Sequence, residues 1–547
     1  MTRSNGFNLL DEPWIAVLDT NGHEDEVSIL ELFNQADRFI TIGGEVPTQA
    51  FAITRLLLAF LHRAIDGPTD QDDWVRLWNA DHLPMESIRA YADRVRRRFD
   101  LFDPVAPFYQ VADLRTAKNE VSGLERIVAD VPSGARLFTT RSSSSLERIR
   151  PAEAARWLVH VHAFDPSGIK SGAVGDPNVK AGKGYPIGPG WCGQLGGVLA
   201  DGGDLRRTLI LNLIARDAET YVRTGNPDDI PPWERDPDSP QWKERPPRGA
   251  IDLYTWQTRR IRLIGDHRGV VGVVLANGDK IQPQNRHGLE PHSAWRFSEP
   301  QSKKHKVTTY MPLLHDPGRS VWRGIGALLP ATSRRRSGDG EPQPFLAPGV
   351  LEWIADLAAQ GHLPETFKPG IRALGVEYGD QNATFAEVVD DQLPIPLHIL
   401  RVDRPAAGRT AVEAVEDADK AASSLWRLAE NIAQAAGAEP KSGAGDTACE
   451  RLYAALDEPY RRWLATLMPG TDLSVARRRW QAVVREEVDS IAAELVSAAS
   501  PAAWVGREVR SQLINVALAE AWFVAALRRT LPLAQREPTT TPEEVTT

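Results

Sequence analysis

The first part of the chain alternates between short apolar runs and longer helical patterns. Trp14–Leu18 predicts a strand that ends at a turn over Asn21–Gly22. Thr48–Ile65 is apolar on nearly every side and predicts a buried helix, whereas Trp74–Phe99 predicts one or two amphipathic helices. Further along, Arg207–Leu213 has the pattern of an amphipathic strand. This part of the chain is therefore predicted to be mixed α and β.

Two later regions carry the pattern of strands joined by turns. Strands are predicted around Ile261–Leu263 and Gly269–Leu275, and the Asn277–Gly278 dipeptide that follows is a strong hairpin signal. A second turn is predicted over Tyr378–Asn382, between the apolar residues before it and Thr384–Phe385 after it.

From about Thr410 the chain becomes alanine-rich, and its apolar residues recur at helical spacing. Four apolar faces follow one another: Val412, Val415, Leu425, Leu428 and Ile432; Leu452, Leu456, Tyr460 and Leu464; Trp480, Val484, Val488, Ile491 and Leu495; and Val505, Val509, Leu513, Val516, Phe523 and Leu527. Gly437 is a typical end for the first helix, and Ser500–Pro501 is a typical start for the fourth. Four helices joined by short loops predict a four-helix bundle.

These patterns predict an α+β protein with two domains. A large mixed α/β domain is expected over residues 1–400, and the four-helix bundle over residues 401–534. The polar tail, residues 535–547, is expected to be disordered. The length of 547 residues corresponds to about three or four domain-sized units.

Composition excludes several classes of protein. Hydrophobic residues make up 42% of the chain, enough for a packed core and too many for a mainly disordered protein. No apolar run approaches the roughly 18 residues of a membrane span, and Asp11 and Glu12 stand where a signal peptide needs its apolar stretch. Cys192 and Cys449 are the two cysteines, which argues against a disulfide framework and fits a reducing cytoplasm.

The net charge of −9 limits how the chain could bind nucleic acid. A protein that bound nucleic acid with its whole surface would be basic. Any such contact must therefore be local, or shared with basic partner subunits.

Residues 168–203 are unusually rich in glycine. Twelve of these 36 positions are glycine, with Lys170, Lys180 and Lys183 among them. Glycine lets a backbone approach another molecule closely, and lysine neutralises phosphate, so a nucleic-acid backbone or minor groove is a natural target. A flexible loop without a ligand is the alternative, and composition alone favours it modestly. Another polar loop, residues 131–145, is long enough to be functional or disordered.

Motifs for enzymatic chemistry are absent from the sequence. Gly182–Gly184 fails the phosphate-loop pattern because residue 177 is proline and no serine or threonine follows Lys183. His160 and His162 form an HxH pair without nearby acidic or cysteine ligands, so a metal site is not predicted there. By spacing alone, Lys280 and Gln381 are ordinary turn residues.

An ordered set of local motifs changes this assessment. It consists of Phe7–Ile15, Phe102–Gln110, the glycine-rich stretch that leads into Asp204–Thr208, Tyr254–Gln257, Asn277–Lys280, Glu290–Arg296 and Tyr378–Gln381. In order and spacing the set resembles the CasA family, the large subunits of the type I-E CRISPR Cascade complex. The resemblance extends to about residue 535, and the helical C-terminus is similar to the bundle of that family.

The resemblance implies a DNA-recognition subunit without catalytic activity of its own. Such a subunit reads the protospacer-adjacent motif of invading duplex DNA from the minor groove and begins strand separation. Three elements would do this: a glycine loop at Gly182, Lys183 and Gly184; a lysine finger at Lys280; and a glutamine wedge at Gln381, or at Asn382 if the register differs by one.

The resemblance also implies partners, and the chain differs from the family at some positions. The loop with Phe138 is similar to the loop that anchors the family near the 5′ handle of the crRNA, although Thr140 stands where some relatives have asparagine. Other Cascade subunits, target DNA and a helicase-nuclease are the further expected partners. Some relatives carry cysteine clusters that this chain lacks, so neither zinc nor another cofactor is expected. Two competing hypotheses remain: a nucleotide-binding enzyme that uses the Gly/Lys-rich loop, and a scaffold whose loops contact only protein partners.

Overall fold

A computed structural model gives the fold of the chain. It describes residues 6–131, 146–218, 222, 226–330, 342–509 and 511–534. The chain forms two compact units. The first contains the described residues up to 321 together with 327–364 and 368–393, and the second contains 322–326, 365–367 and the described residues from 394 onward.

The first unit is a mixed α/β structure. Its helices are α1 (Ile29–Asn34), α2 (Pro47–Ile65), α3 (Gln71–Asn79), α4 (Met85–Val95), α5 (Pro151–Phe164), α6 (Leu205–Leu211), α7 (Ala250–Tyr254), α8 (Glu299–His305), α9 (Ile325–Leu328, which reaches into the second unit) and α10 (Gly349–Ala359). Its strands are β1 (Ile15–Asp19), β2 (Glu24–Val27), β3 (Phe39–Ile42), β4 (Lys170–Ser171), β5 (Lys183–Gly184), β6 (Gly197–Asp201), β7 (Arg259–Asp266), β8 (Gly269–Asn277), β9 (Trp295–Phe297), β10 (Tyr310–Pro312), β11 (Phe345–Leu346), β12 (Gly370–Tyr378) and β13 (Phe385–Pro394).

The strands form small sheets and hairpins instead of one large sheet. The sheet orders are β2–β1–β3, β10–β9–β11 and β13–β12–β6, and β4–β5 and β7–β8 are two-stranded. In β7–β8 the register runs from Arg259 opposite Asn277 to Asp266 opposite Gly269. The hairpin turn is therefore at residues 267–268, and the prediction of a turn at Asn277–Gly278 was wrong.

Another local prediction is corrected at Arg207–Leu213. Residues 207–211 belong to α6, which the Asp204 side chain caps by accepting a hydrogen bond from the Arg207 backbone N–H at 2.7 Å. Leu205, Leu209 and Ile210 are buried at helical spacing. In so short an apolar run, the cap rather than the pattern distinguishes helix from strand.

Helix α2 lies at the centre of the first unit and packs against α4, α5 and α7. Its Arg55 is fully buried and forms a two-pronged ion pair with Glu290, with N···O distances of 2.6 and 2.7 Å. The indole N–H of Trp191 donates to the same carboxylate at 2.7 Å. Burial alone would lower the pKa of Arg55, but the Glu290 carboxylate outweighs burial and raises it. The pair therefore joins the central helix to the segment that leads into β9.

The second unit is predominantly helical. Its elements are α11 (Leu397–Leu400), α12 (Ala406–Ala436), α13 (Ala444–Thr466), α14 (Leu473–Ser497), α15 (Pro501–Val505), β14 (Arg507–Val509), β15 (Gln512–Ile514) and α16 (Val516–Thr530). Helix α12 packs against α13, α14 and α16. The predicted α+β class with a C-terminal helical bundle is thus confirmed, as is the end of the first long helix at Gly437.

The predicted fourth helix is interrupted. Val505 ends α15 with 79% of its surface exposed, and Val509 and Leu513 lie in the β14–β15 hairpin. Helix α16 begins only after Asn515, whose side chain accepts a hydrogen bond from the Leu518 backbone N–H at 2.9 Å. The predicted tail, residues 535–547, lies outside the described residues. Within the described residues, no helix has both the length and the apolarity needed to cross a bilayer.

The Arg55–Glu290 pair provides a test of the first unit. Glu290→Leu leaves a buried guanidinium without its counter-charge, so we expect the free energy of unfolding to fall by about 3–5 kcal/mol. The double substitution Arg55→Met with Glu290→Leu removes both charges and should be less destabilising than Glu290→Leu alone. Urea unfolding monitored by tryptophan fluorescence measures both effects. Equal or greater loss in the double variant would contradict this account.

Helix α5 provides a pH test. Burial lowers the pKa of His162 to about 3 from its ordinary 6.5, while its Nε2–H donates to the Tyr109 carbonyl at 2.9 Å. Between these values only the unfolded chain binds the proton, so stability falls as pH drops through 6.5 toward 3. His162→Gln should make this loss less steep by about 1.4 kcal/mol per pH unit.

Unfolding curves from pH 7 to pH 5 measure the slope. His267→Gln, at an exposed position of the β7–β8 turn, is the matched control and should leave the slope unchanged. Parallel stability profiles for wild type and His162→Gln would rule out this role for His162.

Candidate functional site

The glycine-rich segment folds into a small hairpin. Lys180 and Lys183 exchange both backbone hydrogen bonds at 3.0 Å, which leaves Ala181 and Gly182 as a two-residue turn. Both turn residues have positive φ, +50° and +72°, as the tightest hairpin turns require. Gly182 and Lys183 are exposed, and a Cβ placed on Gly182 would meet nothing within 4 Å. The tip therefore presents backbone N–H groups, flanked by the exposed Lys180 and Lys183, to its surroundings.

Gly184 has a different environment from Gly182. It is buried, and a Cβ there would lie 3.0 Å from the Asn277 side-chain nitrogen. That nitrogen donates to the Tyr185 carbonyl at 2.7 Å. Gly184 thus allows the glycine hairpin to pack directly against the end of β8, three residues before Lys280.

The segment that carries Lys280 is held by a buried ionic network. The Asp279 carboxylate accepts hydrogen bonds from Arg245 at 2.6 Å and from Arg260 at 2.7 Å. Burial alone would raise the pKa of Asp279, but these two guanidinium groups hold it below its usual value. The Trp256 indole N–H also donates to the Asp279 carbonyl at 2.9 Å. The backbone next to Lys280 is consequently well anchored.

The Lys280 side chain itself is partly exposed. Its ammonium donates to the Glu244 carboxylate at 3.0 Å, and 32% of the lysine side chain and 47% of the glutamate side chain remain exposed. The ammonium is therefore near the surface with a counter-charge beside it.

Gln381 and Asn382 lie at the tip of the β12–β13 hairpin, as the turn prediction requires. Both are exposed and both have left-handed backbone conformations, with φ of +54° and +55°. The turn is closed by backbone hydrogen bonds from Gly379 to Thr384 and from Asn382 to Gly379, each 2.9 Å. Two successive left-handed residues thus form the exposed tip of this hairpin.

Each of the three hairpins contacts one place, the C-terminal end of α5. The Tyr378 hydroxyl, at the end of β12 next to the turn, donates to the Phe164 carbonyl at 2.6 Å. The next residue, Asp165, is buried and pairs with Lys170 of β4 at 2.6 Å and with Arg259 of β7 at 2.5 Å. One short segment thus contacts an element of each hairpin.

Burial affects the charges at this junction. It lowers the pKa of Lys170 to about 8, although the Asp165 carboxylate raises that pKa in opposition. Arg259 also donates to the Gly188 carbonyl at 3.0 Å, just beyond the glycine hairpin. The buried ionic cluster holds β4 and β7 against the end of α5, whereas the tips at Gly182 and Gln381 are exposed.

Several functional residues were not found by sequence reasoning. Asp165, Arg259 and Glu244 carry no recognisable motif, since their partners are distant in the chain. The HxH pair lies inside α5, with both imidazoles buried. Phe138 and Thr140 lie outside the described residues. Within those residues, no group of three or more potential metal ligands was found.

Comparisons with known proteins show the family to which the chain belongs. The family described as CRISPR-associated protein Cse1 matches residues 8–491. A "CRISPR-associated protein CasA/Cse1" from Thermus thermophilus is 30% identical over 498 residues, covering 86% of this chain and 89% of the relative. The crystal structure of Thermobifida fusca Cse1 superposes with a TM-score of 0.89 at 46% identity, covering 97% of this chain and 99% of that one.

A more distant likeness concerns the fold alone. A chain of a structure named "CRISPR RNA-guided surveillance complex" superposes with a TM-score of 0.67 at 16% identity, covering 90% of this chain and 99% of that chain. The family match spans most of the sequence, and the resemblance on which the site assignment was based is confirmed. The chain therefore belongs to the CRISPR-associated protein Cse1 family and is a Cse1/CasA-type large subunit.

Proposed function

We propose that this chain is the DNA-reading subunit of a type I-E CRISPR surveillance complex. In this proposal it recognises the protospacer-adjacent motif of foreign duplex DNA through the minor groove and starts strand separation. The observation that carries the proposal is that three hairpins contact the same end of α5. They are the hairpin with the exposed Gly182, the β12–β13 hairpin with the exposed Gln381, and the β7–β8 hairpin, whose open end precedes the partly exposed Lys280. Family membership supports the assignment of these residues to one function.

The dimensions and chemistry of the tips suit a minor groove. That groove is about 6 Å wide, too narrow for a helix about 10–12 Å across. A two-residue turn with glycine at its tip is much thinner and presents backbone N–H groups. Because the groove mainly displays acceptors that A·T and T·A share, backbone amides and one ammonium would read a motif with some tolerance.

The hairpin with Gln381 and Asn382 is the proposed wedge. Unstacking a base step costs a few kcal/mol, so a wedge must be stiff and well supported. The left-handed tip and the Tyr378–Phe164 hydrogen bond provide that support. Pairing between guide and target then roughly replaces the lost DNA pairing, so the wedge mainly lowers the barrier to opening.

The proposal includes partners of the complex. The loop with Phe138 and Thr140 would contact the 5′ handle of the crRNA, and other Cascade subunits would hold the guide. The helical unit would help hold the displaced strand and let the helicase-nuclease dock. Basic partner subunits would make the net charge of −9 compatible with DNA binding. We place the protein in the cytoplasm and propose no catalytic activity for it.

The nucleotide-binding alternative is not favoured by the local geometry. Phosphate-binding loops place the phosphates at the N-terminus of a helix. Here Lys183 and Gly184 form β5, and residues 185–190 that follow are irregular. Titration with ATP by calorimetry tests the alternative: saturable binding that Lys183→Ala abolishes would favour the enzyme.

Substitutions at Lys280 and Gln381 test the proposal. Lys280→Ala removes a donor, and Gln381→Ala shortens the wedge, so both should slow motif-dependent R-loop formation about tenfold or more, given that a base contact contributes about 1–3 kcal/mol. Each variant is reconstituted with crRNA and the other subunits, and strand opening is followed with a fluorescent duplex. Complex assembly, checked by gel filtration, should remain intact. Unchanged opening rates in both variants would refute the site assignment.

Gly182→Ala tests the glycine tip. An alanine at φ +72° is strained by about 1–2 kcal/mol, and its methyl group would occupy the space in which the groove is proposed to lie. Gly22→Ala is the matched control, since Gly22 has φ +82° in an exposed turn and equally empty surroundings. Both variants should lose similar stability, but only Gly182→Ala should weaken motif-dependent DNA binding. Equal DNA binding by the two would exclude a close approach at Gly182.

A further inference from the structure

The contact between Lys280 and Glu244 was not anticipated by any motif. The ammonium lies 3.0 Å from one carboxylate oxygen of Glu244, and the Gln282 side-chain amide donates to the other oxygen at 2.6 Å. Gln282 and Lys280 lower the pKa of Glu244, so the carboxylate is ionised at neutral pH. Among the described residues, no second carboxylate lies within ion-pair distance of Lys280.

The backbone holds the two partners side by side. The Lys280 backbone N–H donates to the Lys243 carbonyl at 2.8 Å, and the Arg245 N–H donates to the Lys280 carbonyl at 3.2 Å. Arg245 is itself fixed by Asp252 and Asp279. Glu244 is therefore held opposite Lys280 by the fold and does not depend on a chance meeting of long side chains.

The pair changes what Lys280 offers to DNA. A lysine ammonium has three N–H donors, and one of them is used by Glu244, so two remain. The pair as a whole carries no net charge and is attracted only weakly to phosphate, which is recognised through charge. Its two remaining donors are still available to acceptors on base edges.

We propose that Glu244 is a positioning residue that determines specificity by making Lys280 a donor to base edges instead of a phosphate-binding cation. The proposal rests on the proposed function of Lys280 and extends it. Without Glu244, the flexible lysine would be free to contact phosphates of any sequence. With Glu244, the ammonium is oriented and its binding to DNA lacking the motif is reduced.

Glu244→Gln tests the charge while keeping an oxygen acceptor near Lys280. We expect affinity for duplexes without the motif to rise about twofold to fivefold, the range of an exposed ion pair. The slope of log affinity against log salt should steepen by about 0.9, since one more phosphate contact forms. Affinity for motif duplexes should rise less, so the ratio of motif to non-motif binding falls. Fluorescence anisotropy with the reconstituted complex measures all three.

Further variants separate orientation from charge. Glu244→Ala removes the acceptor as well and should lower the ratio further than Glu244→Gln. Glu299→Gln is the matched control, because Glu299 of α8 forms an exposed pair with Lys303 at 2.7 Å in the first unit. In a Lys280→Ala background, Glu244→Gln should have no effect, since Glu244 is proposed to act through Lys280.

The outcomes distinguish this proposal from the proposed function. Lys280→Ala could abolish motif discrimination while Glu244→Gln leaves the ratio of motif to non-motif binding unchanged, for instance by raising both affinities by the same factor. In that case Glu244 has no role in specificity, and only this proposal fails. An equal effect of Glu299→Gln would indicate a general charge effect and would also overturn it. If Lys280→Ala leaves discrimination intact, the assignment of Lys280 itself fails.

Discussion

The positions of the three hairpins depend on a buried carboxylate at the end of α5. Asp165 has two cationic partners, Lys170 and Arg259, and each belongs to a different hairpin. Removing three charges from water is costly, and such clusters rarely add net stability. The cluster instead fixes the relative positions of the three groups. Moving one of them away would leave a buried charge without its partner, at a cost of several kcal/mol. The starting points of the hairpins are therefore fixed relative to α5, and Phe164 places the third hairpin one residue away.

This arrangement separates the support of the hairpins from the chemistry at their tips. At the bases, charges are buried and fully partnered, and hydrogen bonds join residues far apart in sequence. At the tips, Gly182, Lys183, Gln381 and Asn382 are exposed. A substitution at a tip is consequently expected to change binding with little effect on the fold, whereas a substitution at a base should alter both. Lys280 is intermediate, since its backbone belongs to the support and its ammonium to the surface.

Sequence patterns predicted the parts of the fold that depend on local periodicity. The buried helix at Thr48–Ile65 and the long helices of the second unit follow from spacing and capping. The strand predicted at Arg207–Leu213 was wrong because the capping hydrogen bond that the Arg207 backbone N–H donates to the Asp204 carboxylate favours a helix over a short apolar pattern. Asn277–Gly278 has the sequence of a hairpin turn, yet the Asn277 side chain donates a hydrogen bond to the Tyr185 carbonyl, 92 residues away in sequence. Contacts such as Arg55 with Glu290, 235 residues apart, leave no local trace in the sequence.

The candidate site illustrates the same limit within a single motif. Gly182 and Gly184 are two residues apart and look equivalent in sequence. The structure gives them opposite roles, because Gly182 needs a left-handed backbone at an open tip, whereas Gly184 is buried against Asn277. Glycine at the first position keeps the tip thin, and glycine at the second lets the hairpin pack against Asn277 at the end of β8. The resemblance assigns all of Gly182–Gly184 to DNA binding. In the structure, only Gly182 and Lys183 are exposed and available to a ligand. Gly184 instead supports the hairpin by packing against Asn277.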